Sequence, residues 1–224
     1  MVIEPIKSSL VHKVLPPTDT GASRHPALLL LHGRGTNEDD LLGLAQYLDP
    51  RLFVVSARAP FRFPYGGYTW YQIVEVGTPV GSEFDESYQR LNELINDIKQ
   101  NYPVDPQRVF LLGFSMGSVM SFALSLTHPE AVRGVVAHSG YIPENTSLQY
   151  QWDKLADLSL FVAHGVYDLV IPINHGRRAN DLLSATQADL TYKEYPIAHT
   201  MSEESLSDLS TWLQRRLDVA ADIK

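Results

Sequence analysis

Short apolar runs alternate along the chain with stretches in which apolar residues recur every three or four positions. Several of the runs are apolar without interruption, which is typical of strands buried on both faces between helix layers. We predict strands at 10–15, 27–31, 52–56, 71–76, 109–112, 134–137, 160–163 and 190–195.

The stretches between these runs predict helices. One apolar stripe, in steps of four and three, comprises Phe84, Tyr88, Leu91, Ile95, Ile98 and Tyr102. Further helices are predicted at 37–48, 116–127, 174–186 and 206–217. The alternation predicts an α/β fold with a mostly parallel central sheet and helices on both faces. Ligands of such sheets bind beyond the carboxyl ends of the strands.

Composition narrows the class of protein. With 224 residues, one domain over 1–224 is expected. The absence of cysteine excludes disulfides, thiolate metal sites and a cysteine nucleophile. A formal net charge of -8 argues against nucleic acid as a partner, which needs a basic face. The longest apolar run is too short to span a bilayer and 1–15 lacks a signal-peptide core, so we expect a cytoplasmic protein without stable membrane insertion.

The segment 113–117 reads Gly-Phe-Ser-Met-Gly, between an apolar run and a helical stretch. A nucleophile elbow has this form: the serine occupies a strained strand-to-helix turn, and the two glycines let neighbouring backbone pass without a Cβ clash. The alternative is a serine in an ordinary tight turn. The strand before and the small-residue helix after favour Ser115 as a nucleophile.

Asp168 and His199 are the predicted partners of Ser115, because each follows a predicted strand, in the order serine, acid, histidine. His199 would accept the serine proton and return it to the leaving group, while Asp168 orients the imidazole. The alternatives, better explained as cap or turn residues, are Asp153, Asp157, Asp189, His128 and His138.

The turn Leu-His-Gly-Arg-Gly at 31–35 follows another apolar run. A tetrahedral intermediate needs two backbone N–H donors, and we expect them from Arg34 and Met116. The alternative is that His32 and Gly33 only shape a tight turn. For His32 itself a structural role is favoured over that of a second base, and the histidines show no metal-ligand spacing.

An aromatic-rich loop covers 59–71. Such a loop suits an apolar pocket wall beside the nucleophile, although it could equally plug the core beneath a long loop. On the first interpretation, the substrate contacts are Phe63, Tyr65 and Trp70, together with Leu169 beside Asp168.

Taken in order, the motifs resemble the phospholipase/carboxylesterase family, which includes the acyl-protein thioesterases and small bacterial carboxylesterases. The segments that carry the resemblance are 30–42, 58–60, 66–71, 113–117, 139–143, 164–168 and 199–202. The family's catalytic serine, aspartate and histidine fall on Ser115, Asp168 and His199. Two positions depart from the family pattern: Gln72, where relatives often have an acid, and Ala198, where glycine is usual.

The resemblance implies an α/β-hydrolase fold and a serine carboxylesterase that acts through an acyl-enzyme without a metal or organic cofactor. The expected partner is a small-molecule ester of short to medium acyl length, with thioesters and lysophospholipids as further classes. A homodimer is compatible with the sequence. No long insertion follows Ile142, so a large lid, and with it a lipase acting at an oil interface, is not expected.

Other functions are less well supported. A dienelactone-hydrolase-like enzyme is less well supported, because its site resembles one with a cysteine nucleophile and this chain has no cysteine. A dehalogenase would carry an acid at position 115. A serine peptidase of this fold usually has an extra gating domain, for which 224 residues leave no room. A hydrolase fold that serves only as a binding module typically loses a member of its triad. Here all three residues remain, which favours an enzyme.

Overall fold

The computed structural model describes residues 3–79 and 81–219. The strands are β1 (His12–Leu15), β2 (His25–Leu31), β3 (Phe53–Ala57), β4 (Phe61–Arg62), β5 (Tyr68–Thr69), β6 (Ile73–Glu75), β7 (Thr78–Pro79), β8 (Val104–Phe114), β9 (Gly134–His138), β10 (Ser159–Gly165) and β11 (Asp189–Tyr195). The helices are α1 (Gly81–Asn101), α2 (Met116–Thr127), α3 (Ile173–Ser184) and α4 (Glu203–Val219), with 3-10 turns at Leu42–Tyr47, Pro129–Ala131 and Trp152–Lys154.

Seven strands form the central sheet in the order β1-β3-β2-β8-β9-β10-β11. Only β1, at one edge, runs antiparallel to its neighbour; the other pairs are parallel. The parallel strands β2, β8, β10 and β11 therefore direct their carboxyl ends to one edge of the sheet. The predicted α/β fold with a mostly parallel sheet is confirmed.

Apolar side chains cover both faces of the sheet because they alternate along each strand. Leu29 and Leu31 of β2 belong to the core beneath α1, α2 and α3. Leu28 and Leu30, one step along, belong to the core beneath α4 and the 3-10 turn after Leu41. All four leucines are at most 1% exposed. Burial on both faces explains why the strand segments read as uninterrupted apolar runs.

Two predicted elements differ from the structure. The run at 71–76 contributes β6, which pairs with β7 in a separate hairpin outside the central sheet. The helix predicted at 37–48 is reduced to the 3-10 turn Leu42–Tyr47. Its beginning forms a tight turn instead, because the Asn37 side chain accepts the Asp39 N–H at 2.8 Å and the Asn37 carbonyl accepts the Asp40 N–H. Such local bonds compete with helix formation.

The connection from β9 to β10 contains one 3-10 turn, Trp152–Lys154, and no α-helix. None of the helices within residues 3–79 and 81–219 combines the length and apolar character needed to cross a membrane.

Candidate active site

Ser115 lies between β8 and α2 in a backbone conformation that non-glycine residues seldom adopt, with φ 55° and ψ -118°. The flanking glycines explain how this turn fits. A Cβ on Gly117 would lie 1.9 Å from the Leu31 carbonyl oxygen, and one on Gly113 would lie 2.4 Å from the Gly117 carbonyl carbon. The Ser115 N–H donates to the His138 carbonyl at 2.9 Å, which ties the turn to β9. The sequence can therefore hold this geometry only with glycine on both sides.

The three predicted triad residues meet at the carboxyl edge of the sheet. His199 Nδ1 lies 2.6 Å from Asp168 Oδ2, and His199 Nε2 lies 2.9 Å from Ser115 Oγ. Because a carboxylate only accepts hydrogen bonds, Nδ1 carries the proton. Nε2 is then the acceptor for the serine hydroxyl. This is the protonation state that a general base needs.

Asp168 is anchored by its own turn after β10. Its Oδ1 accepts the N–H groups of Val170 and Ile171, each at 2.9 Å. Its side chain is fully buried. These bonds leave Oδ2 directed at His199 and fix the acid to the backbone, which suits a group that must orient an imidazole.

The segment before His199 is pressed onto the end of β10. A Cβ on Gly165 would lie 2.4 Å from the carbonyl oxygens of both Ile197 and Ala198. The Tyr167 N–H donates to the Ile197 carbonyl at 3.0 Å. The acid and the base are thus carried by loops that bond directly to each other.

His32 shapes the turn after β2. Its Nε2 accepts the Ala59 N–H at 3.0 Å, and its Nδ1 lies 2.6 Å from the Gly33 carbonyl, so the proton is on Nδ1. Burial lowers the pKa of His32, which keeps the ring neutral. Both ring nitrogens form hydrogen bonds with backbone groups, which agrees with a structural role.

A cavity of about 340 Å³ opens beside Ser115. Ser115 and His199 lie at one side together with Arg34 and Met116, the two residues predicted to stabilise an oxyanion. Met116 is the first residue of α2, where helix N–H groups lack a partner within the helix. The apolar and aromatic part of the wall comprises Tyr71, Ile73, Val76, Phe114, Tyr141, Val170 and Ile171, and Gly33, Thr36 and Asp40 complete the lining.

Comparison with known proteins places this site in a family. The sequence profile described as phospholipase/carboxylesterase matches residues 18–217. The chain belongs to this family. It is 28% identical over 179 residues to a probable carboxylesterase, SOBER1-like, of Arabidopsis thaliana, covering 74% of this chain and 66% of the relative. It is 26% identical over 219 residues to acyl-protein thioesterase 1 of Candida albicans, covering 87% and 93% of the two chains.

Solved structures show the same fold. The carboxylesterase of Bacillus cereus superposes with a TM-score of 0.81 over 92% of this chain and 94% of that chain, at 24% identity. The carboxylesterase of Mesorhizobium loti gives the same TM-score of 0.81 at 19% identity, over 92% of this chain and 95% of that chain. The chain therefore has the α/β-hydrolase fold.

The substrate contacts predicted from the aromatic loop need correction. Trp70 is fully buried, donates its Nε1–H to the His32 carbonyl at 2.9 Å, and is not among the residues that line the cavity. The Phe63 ring lies beneath the Arg34 guanidinium, with 5.2 Å between the ring centre and Arg34 Cζ, and Phe63 does not line the cavity. Tyr65 and Leu169, at 91% and 93% exposed, project into solvent.

The residues that form the wall were missed because they are neighbours of the predicted ones or lie far away in sequence. Tyr71 follows Trp70, and Val170 and Ile171 follow Leu169. Tyr141 comes after β9, and its hydroxyl lies 3.2 Å from that of Tyr71. Tyr71 carried a signal as part of the aromatic loop, and Tyr141 carried one because it follows a strand at the carboxyl edge.

The two departures from the family pattern are accommodated locally. The backbone N–H and side-chain amide of Gln72 both donate to the Glu83 carboxylate of α1, at 2.8 and 3.0 Å. An acid therefore stands beside this turn, supplied by α1. Ala198 is exposed, so its methyl group projects away from the contact with Gly165.

Among the residues that the structure describes, none of the alternative acids and bases forms a side-chain hydrogen bond with Ser115 Oγ or with the His199 ring. Asp157 and Asp189 stand at the amino ends of β10 and β11, at the opposite edge of the sheet. His138 is buried beside Tyr195, and burial lowers its pKa to about 3. Within residues 3–79 and 81–219, no three His, Asp or Glu side chains gather in an arrangement that could hold a metal ion.

Proposed function

We propose that this chain is a serine carboxylesterase with Ser115 as nucleophile, His199 as general base and acid, and Asp168 as the orienting acid. The observation that carries the proposal is the pair of contacts from Ser115 Oγ to His199 Nε2 at 2.9 Å and from His199 Nδ1 to Asp168 Oδ2 at 2.6 Å, beside an apolar cavity. The family membership supports ester-bond hydrolysis as the reaction.

The reaction follows from these positions. Ser115 Oγ attacks the ester carbonyl carbon while its proton moves to His199 Nε2. The negative charge on the carbonyl oxygen is stabilised by the backbone N–H groups of Arg34 and Met116. The tetrahedral intermediate collapses, His199 protonates the departing alkoxide, and an acyl group remains on Ser115. Water then attacks the acyl-enzyme with His199 again as base, releasing the acid.

The substrate class we propose is esters of short to medium acyl chains, about two to eight carbons. The cavity of about 340 Å³ lies near the small end of the range of about 300–1,000 Å³ typical of ligand pockets. Each further methylene of the acyl chain that is buried in the cavity adds about 0.8 kcal/mol to the binding free energy, until the chain fills the cavity. Thioesters and lysophospholipids are further candidate classes, and relatives named acyl-protein thioesterase support the thioester arm.

Two measurements test the proposal together. A fluorophosphonate probe should modify the protein once, and mass spectrometry should place the adduct on Ser115. A series of esters with acyl chains of two to sixteen carbons, with matched thioesters, should give the highest kcat/KM among the short to medium chains. Absence of the adduct on Ser115 overturns the site, and preference for sixteen-carbon esters in emulsion overturns the substrate class.

Other expectations from the sequence remain predictions. Activity should be insensitive to EDTA, because the proposed mechanism draws only on side chains and backbone amides. The single domain over 1–224 should unfold in one transition. Cytoplasmic location and a homodimer are to be tested by cell fractionation and by light scattering after size exclusion.

A further inference from the structure

His164 lies behind the catalytic acid, near the end of β10, and is fully buried. Its Nε2 lies 2.7 Å from the Ile171 carbonyl oxygen and 3.5 Å from Asp168 Oδ2. Both neighbours are acceptors, so Nε2 carries the proton and donates to Ile171 while facing the carboxylate.

This donor completes the turn that holds the acid. The Ile171 N–H binds Asp168 Oδ1 at 2.9 Å, and the Ile171 carbonyl binds His164. One residue of the turn is therefore fixed on both sides, by the acid in front and by the imidazole behind. Ile171 also lines the cavity, so the same contact positions part of its wall.

Packing alone does not explain a histidine at this position. His164 Nδ1 is buried and has no hydrogen-bond partner among the residues the structure describes. Leaving such a nitrogen without a partner is unfavourable, and an apolar side chain of similar size would avoid the cost. The ring lies directly against α3 at Gly176, where an added Cβ would lie only 2.7 Å from Nδ1.

We propose that His164 is a positioning residue, whose Nε2–H holds the 168–171 turn and, through it, keeps the Asp168 carboxylate aligned with His199. The inference rests on the proposed function, since it assigns a support to that site. Because the N–H dipole points its positive end at the carboxylate, its loss should also favour protonation of His199.

The pKa of His164 is lowered by burial, so the ring stays neutral. The titratable and charged groups around His164 come from β9, β11, α3 and the two catalytic loops. They are His138, Glu194, Arg177, His175, Asp168 and His199.

The test compares His164→Gln with His164→Met. Glutamine and methionine have similar length, but only glutamine offers a donor near the position of Nε2. We expect the methionine variant to lose kcat by about tenfold or more, and the glutamine variant to stay within about threefold of wild type. Thermal unfolding checks that both variants fold.

A second readout is independent of hydrolysis. NMR titration of labelled histidine should show His199 taking up its proton at higher pH in the methionine variant than in wild type, and at the same pH as wild type in the glutamine variant. Gly176→Ala, which presses a Cβ onto Nδ1, should displace the ring and shift the protonation of His199 in the same direction. This variant answers the question if methionine prevents folding.

The outcomes separate the two proposals. If wild type hydrolyses no ester, the proposed function fails, whereas the titration still decides whether His164 acts on the Asp168–His199 pair. If wild type is active and the methionine variant keeps its kcat and takes up the His199 proton at the same pH, the role of His164 is overturned and the proposed function stands.

Discussion

The two sides of the cavity are held by different kinds of contact. On the catalytic side, backbone atoms do most of the positioning: Gly117 passes against the Leu31 carbonyl, and two N–H groups hold Asp168. Along the apolar and aromatic wall, side chains meet side chains, as between the hydroxyls of Tyr71 and Tyr141.

The difference explains which part of the site a short motif can encode. A backbone turn of unusual φ, or a contact that excludes a Cβ, restricts the residue type at one position directly. A wall of side chains restricts only volume and polarity, shared among residues that are distant in sequence. We therefore expect substitutions on the catalytic side to abolish chemistry, and those in the wall to change stability or chain-length preference.

The largest effect is expected for Ser115→Ala. Alanine has no attacking oxygen, so kcat/KM for a short-chain ester should fall by about 10⁴-fold or more, while the melting temperature stays near that of wild type. Activity within tenfold of wild type, in a preparation free of host esterases, would show that Ser115 is not the nucleophile.

Trp70→Ala tests the part of the comparison that concerns buried side chains. Trp70 is fully buried, so its truncation should lower the free energy of unfolding by about 3–5 kcal/mol. The preferred acyl length should stay the same. Denaturant unfolding measures the change in stability, and the ester series measures the preferred acyl length. A shift to longer chains at unchanged stability would show that Trp70 forms part of the cavity wall.

Gly117→Ala tests the backbone contact of the elbow. The added Cβ would meet the Leu31 carbonyl oxygen at 1.9 Å, so the turn must shift, and a displacement near 1 Å can cost about 10²-fold in rate. Gly43→Ala is the matched control, since its Cβ would meet nothing within 4 Å. Equal kcat values for the two variants would show that the close contact does not position Ser115.

The pH dependence separates buried histidines from His199. The folded pKa of His138 is about 3, below its ordinary value of 6.5, and burial lowers those of His32 and His164 as well. Their contribution to stability is complete above pH 6.5 and is lost as the pH falls towards the folded pKa. The free energy of unfolding should drop by up to about 1.4 kcal/mol per pH unit for each such histidine. Activity should show one transition, from His199. Equal urea midpoints at pH 7 and pH 5 would contradict the expected loss of stability at the lower pH.

The smallest effect is expected at the wall itself. Val76→Phe should narrow the cavity and shorten the preferred acyl chain, with a loss of about fourfold in kcat/KM for each methylene that no longer fits. The shortest ester serves as the control and should be hydrolysed at the wild-type rate. An unchanged chain-length profile would place the acyl group elsewhere.

By itself the sequence determined the layers of the fold and the order of the candidate triad. Uninterrupted apolar runs such as 27–31 can be buried only between two layers, and the structure places them there as β2 and its neighbours. The glycines at 113 and 117 restrict the backbone at their own positions, so the five-residue pattern, together with the strand before it and the helix after it, predicted the elbow.

Only the tertiary structure decided what surrounds the nucleophile. Trp70 and Tyr71 are adjacent and equally buried, yet one supports the His32 turn and the other lines the cavity. Their sequence signal is the same, because hydrophobic burial has no direction. Their roles depend on contacts with Tyr141 and His32, which lie in the loops after β9 and β2. The support that His164 gives to Asp168 likewise exists only once the 168–171 turn folds back over the end of β10.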